Sequence, residues 1–98
     1  MNKIDYLINL LSEECNEVGQ MCSKILRFGL EEVRPEQEFT NKERLIQEVN
    51  DLLAVLELLQ AEGVDLTGLA NSVALAKKKT KVEKFMELSR AQGKLDEV

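Results

Sequence analysis

Ninety-eight residues with one proline, five glycines and 44% apolar side chains make one small domain with room for long, uninterrupted helices. A net charge of −5 turns the chain away from duplex nucleic acid. The absence of histidine removes Ser-His-Asp and Cys-His nucleophilic sites, the usual zinc sites and the commonest general base.

Apolar residues at helical spacing, Leu7, Leu11, Val18, Met21, Ile25 and Phe28, predict a first helix over about 3–28, with Gly29 as its stop. Cys15 and Cys22 lie on this helix roughly 10 Å apart, too far for a disulfide between them, and are expected as reduced core residues. No apolar run reaches membrane-spanning length, and Met1 to Asp5 has no signal-peptide core, so no membrane association and a cytoplasmic location are expected.

Residues 29–40 read as a charged loop holding the only proline. Thr40 with Glu43 three residues on forms a capping-box pattern, so a second helix is predicted over about 41–62. Its later half, Leu52 to Leu59, is apolar almost all round, and one short chain can hardly cover such a helix alone. A homodimer or homotetramer is therefore expected.

A third helical region is predicted over about 66–91. The stripe Leu66, Leu69, Val73, Ala76 and the stripe Val82, Phe85, Met86, Ser89 are out of phase, which predicts a kink or break near 77–81. Residues 93–98 are expected to fray.

The core stripe of the first helix, Leu7, Leu11, 14, Val18, Met21, Ile25, Phe28, has a carboxylate at position 14. Glu17 follows Glu14 at about 5 Å along the axis on nearly the same face. On the second helix Glu48, Asp51, Val55 and Leu58 form one stripe, acidic at one end, with the same i, i+3 spacing. If the helices run antiparallel, both acidic pairs converge at one level. Carboxylates crowded there resist ionising together, and a divalent cation removes that penalty. Oxygen ligands alone select Mg²⁺ or Mn²⁺, and such ions complete their shell with water and substrate phosphates. The plainer reading is a solvated face, since eighteen acids in the chain make such spacings common.

Residues 77–84 hold five lysines and one glutamate. A solvated basic face explains such a run. A triphosphate clamp, with Lys81 and Lys84 one turn apart, is the functional reading.

Glu13-Glu14-Cys15-Asn16-Glu17 followed by Glu48-Val49-Asn50-Asp51 resembles the E-E-x-x-E … E-x-x-D pattern of the MazG-like, all-α nucleoside triphosphate pyrophosphohydrolases. The resemblance covers roughly residues 5–90. It implies an all-α protomer of three to four helices that completes a four-helix-bundle core by dimerising. It also implies hydrolysis of a nucleoside triphosphate, a dNTP or a non-standard NTP, to monophosphate and pyrophosphate. By position Glu14, Glu17, Glu48 and Asp51 match the Mg²⁺ ligands, and Glu13 matches the acid that orients or deprotonates water. The downstream Asn-x-x-Lys phosphate pattern is not clean here, and the segment between the two acidic motifs is long. A related alternative, phosphoribosyl-ATP pyrophosphohydrolase, ranks lower because its Tyr-His after the second motif is replaced by Leu53-Ala54-Val55. The non-enzymatic alternative is an acidic helical interaction module.

Overall fold

The computed structural model describes residues 1–96, so that of the expected fraying segment Glu97 and Val98 lie outside the described residues. Among them are three α-helices and no strand: α1 (Lys3–Phe28), α2 (Asn41–Ala61) and α3 (Ser72–Ala91). The chain forms two compact units, Met1–Asp65 and Leu66 onward. None of the helices is long and apolar enough to cross a membrane.

In the first unit α1 and α2 make an antiparallel hairpin. Asn2 caps α1, its side chain accepting the Asp5 N–H at 2.8 Å. Gly29 ends the helix at φ 95°, where a side chain would be strained, and its N–H reaches the Ile25 carbonyl at 2.7 Å. The expected capping box at the start of α2 is present. The Glu43 N–H donates to Thr40 Oγ1 at 3.1 Å, and the Thr40 N–H donates back to Glu43 Oε1 at 3.0 Å. The Thr40 N–H and the Thr40 hydroxyl, which donates to the same Oε1 at 2.9 Å, hold the Glu43 carboxyl below the usual carboxylate range.

The connecting loop is bound to the helices it joins. Asn41, fully buried, donates from Nδ2 to the Gly29 carbonyl at 2.9 Å and to Glu32 Oε1 at 3.3 Å. Its backbone N–H reaches the Glu32 carbonyl, and that of Lys42 the Leu30 carbonyl, both at 2.9 Å. The Arg34 guanidinium lies 3.7 Å from the centre of the Phe28 ring while donating to Glu32. At the far end of the hairpin Lys3 pairs with Glu62 at 2.5 Å. That exposed pair adds little stability, at most about 1 kcal/mol, but it marks the antiparallel register.

Leu7 and Met21 of α1 and Val55 and Leu59 of α2 are the only buried apolar side chains among the described residues. This departs from expectation at three places. Phe28, expected on the core stripe, is exposed at the end of α1 with the Arg34 guanidinium over its ring. Cys15 and Cys22 are exposed, not core, because they lie about 80° and 60° round the helix from Leu7. Leu59 takes the inward position of α2 while Leu58 is half exposed, because four residues after Val55 lies closer to the core face than three.

In the second unit α3 is continuous through Lys77–Lys81, so the expected break is absent. Lysine is a good helix former, and only Lys77 and Lys81 share a face at i, i+4, a like-charge pair that costs about 0.2–0.5 kcal/mol, too little to break the helix. The helix also starts at Ser72, later than expected. Gly68 and Ala70 both have positive φ, 98° and 57°, and Asn71 then caps the helix by accepting the Ala74 N–H at 3.0 Å. No residue of α3 is buried. Beyond the helix the chain turns back, the Lys94 N–H bonding the Ser89 carbonyl at 2.8 Å.

Candidate metal centre

The antiparallel register brings Glu14 on α1 level with Glu48 and Asp51 on α2. One carboxylate oxygen of each lies within 4.8 Å of the others. Glu14 and Glu48 are partly buried and Asp51 is exposed. Each is placed by helix geometry alone. Glu14 occupies a turn between Leu11 and Val18 on the inward stripe, and Glu48 lies two turns before Val55 on the same face.

Partial burial, followed by the charges of Asp51, Glu48, Glu17 and Glu13, raises the Glu14 carboxyl above its ordinary value. Glu14 is thus the group on which the neighbouring negative charges converge. Glu17 and Glu13 are exposed; they act on Glu14 through their charge, but neither belongs to the close group of three.

The donor set fits a hard divalent cation. Three carboxylates with no nitrogen or sulfur suit Mg²⁺ or Mn²⁺. Oxygens sharing one Mg²⁺ at about 2.1 Å lie roughly 3–4 Å apart, a spacing that falls inside the 4.8 Å within which these three lie. The open side at Asp51 leaves room for water and phosphate oxygens.

Lys81 and Lys84 belong to the second unit. Both are exposed on α3, one turn apart. Lys84 lines a groove with Thr80, Glu83, Met86, Glu87 and Arg90, and Arg90 is ion-paired with Glu87. Lys81 does not line that groove, so Arg90 is a basic neighbour of Lys84 that the lysine spacing did not single out.

Asn41 is the other residue that spacing missed. Its signal was faint: an amide directly after the cap residue, at a position whose side chain can reach back across the loop. It fixes where α2 begins and hence the level at which Glu48 and Asp51 meet Glu14.

Comparison with known protein families, with curated proteins and with solved structures returns no match.

Proposed function

We propose that the chain is a Mg²⁺-dependent hydrolase that cleaves nucleoside triphosphates to nucleoside monophosphate and pyrophosphate. The single observation behind this reading is the convergence of Glu14, Glu48 and Asp51 from two helices into one oxygen-only group. Resemblance of the two acidic motifs to the MazG-like enzymes supplies the reaction class.

In this reading Glu14, Glu48 and Asp51 hold the cation, and Glu17 joins from the exposed side. A cation there would polarise a phosphoryl oxygen and acidify bound water. Glu13, exposed on the adjoining face of α1, orients or deprotonates the attacking water. Lys81 and Lys84, one turn apart on α3, are the candidate phosphate-binding residues. The protomer pairs with a second copy to complete a four-helix core, in a homodimer or a homotetramer. Four buried apolar side chains are a thin core for a chain of this length, which supports that reading.

Pyrophosphate release measured against a panel of NTPs and dNTPs, with Mg²⁺, with Mn²⁺ and with a chelator, tests the proposal. Cation-dependent release from at least one substrate is the expected result. No release from any of them, together with no effect of either cation on the melting temperature, would reject it in favour of the interaction module.

A further inference from the structure

Residues 1–65 carry fourteen acidic and six basic side chains, so carboxylates far outnumber the cations that could pair with them. Four of the six cations are engaged: Lys3, Arg34 and Lys42 in ion pairs, and Arg27, like Arg34, over the Phe28 ring. Lys24 and Arg44 have no ion-pair or ring partner among the described residues, although both are half-buried. Helix winding brings these two together. Lys24 lies two turns beyond Glu17 on α1, and Arg44 lies two turns before Asp51 on α2, each within about 20° of that carboxylate around its helix axis. Because the helices are antiparallel, both steps run toward the loop, along the side of the hairpin that Glu17 and Asp51 share. In the register marked by Lys3 and Glu62 their backbone positions differ in level by about 4.5 Å, and Arg44 is one turn from Glu48.

We propose that Arg44 and Lys24 hold the phosphate chain of the substrate beside the carboxylate group, so that the first unit by itself binds a divalent cation together with a polyphosphate. The inference rests on the hydrolase reading above and adds two phosphate contacts within the hairpin to the lysines of α3. A half-buried guanidinium or ammonium without a partner carries an uncompensated desolvation cost, which an anion removes. The nearest carboxylate on the same helix does not remove it, since Glu48 stands one turn after Arg44 and the two are not paired. With Glu14, Glu48 and Asp51 committed to a cation, Arg44 is the first positive side chain met on the way to the loop, and Lys24 is the next. Arginine suits the nearer place, because its planar fork takes two phosphate oxygens at once. The lysine ammonium adds a point charge further along.

Calorimetric titration of the full-length protein with Mg²⁺ alone, and with inorganic tripolyphosphate in the presence of Mg²⁺, tests the assignment. Arg44→Gln and Lys24→Gln should each weaken tripolyphosphate binding by at least about tenfold, the loss of one charged hydrogen bond. Mg²⁺ alone should bind these variants as tightly as wild type or more tightly, because a like charge near the carboxylates is gone. Arg44→Lys should recover part of the loss, since it restores the charge without the fork. Unchanged tripolyphosphate affinity in both glutamine variants, with pyrophosphate release still abolished by Glu14→Gln, would overturn this assignment and leave the hydrolase standing. Affinities for Mg²⁺ and tripolyphosphate that fall together would show a role in holding the fold and would overturn it as well. A wild-type protein that binds neither probe would overturn both readings.

Discussion

Replacing Asn41 with aspartate keeps the side chain's shape and exchanges its donor group for a charge. In the native protein Nδ2 serves the Gly29 carbonyl and Glu32 from a fully buried position. The change strips the Gly29 carbonyl of its side-chain donor, a loss of about 1–3 kcal/mol. It also sets a carboxyl, at a buried position, against the part-exposed Glu32, which costs several kcal/mol more or forces the buried group to take up a proton. The opposing gain, a negative charge at the first turn of α2, is only about 0.3–1 kcal/mol. Destabilisation wins, by about 3 kcal/mol or more. For a chain of this size that lowers the melting temperature by roughly 12–24 °C. Asn41→Ala loses the hydrogen bonds without adding a charge and should cost about 1–3 kcal/mol. It also removes Oδ1, which has no hydrogen-bond partner in the protein. Thermal melts followed by circular dichroism at one fixed protein concentration give both values. An aspartate variant that melts within about 2 °C of wild type would refute the clip as the element that anchors the loop.

Other outcomes follow from the carboxylates, the caps and α3. Glu14→Gln removes the carboxylate that its neighbours oppose, so the metal-free protein should melt no lower than wild type while cation-dependent hydrolysis disappears; full activity would strike Glu14 from the ligand set. The sign with pH is set by the raised carboxyl: its favourable share of stability is present below its ordinary value and lost as pH rises through the folded one. Glu43 has the opposite sign, because its carboxyl is held low by Thr40. Its share is lost as pH falls through the folded value, and Glu43→Ala should flatten the acid side of a melting-temperature profile. Changing Lys81 or Lys84 to alanine should lower kcat/KM for triphosphates by about ten- to a hundredfold and leave cation affinity alone. Wild-type kinetics in both variants would return the run to a solvated face. Hydrolysis in ¹⁸O-labelled water should mark one of the two expected products, monophosphate or pyrophosphate; label in orthophosphate would show cleavage at the γ-phosphorus instead.

The caps were the most legible part of the fold. Gly29, Thr40 and Glu43 act through hydrogen bonds spanning a few residues, so their pattern is complete within the local sequence. Glu14, Glu48 and Asp51 could be read because a carboxylate on an apolar stripe is visible once the helical period is counted. The cysteines and Leu58 were misplaced for a different reason. Periodicity tells that a helix has an apolar arc, but not which part of a wide arc meets its partner within one chain. For α3 the shift in its apolar stripe suggested a break, but a stripe must stay in phase only where it packs, and this helix buries nothing. The contribution of Asn41 depends on a carbonyl twelve residues away, and no local pattern encodes that separation.

A twenty-residue helix with no buried side chain draws its order from capping and from intrinsic propensity. Nucleating a helical turn is unfavourable, and isolated helices of this length are marginal in water. Opening of α3 should therefore cost far less than opening of the hairpin, and its amide hydrogens should exchange with solvent ahead of those of α1 and α2. Any phosphate ligand that draws Lys81 and Lys84 into place must then also supply the free energy that keeps α3 helical. Its measured affinity is lowered by the fraction of time the helix is melted. Substitutions that touch no ligand, such as Ala70→Gly, which relieves the positive φ just before the Asn71 cap, would tighten that affinity by raising the helical population.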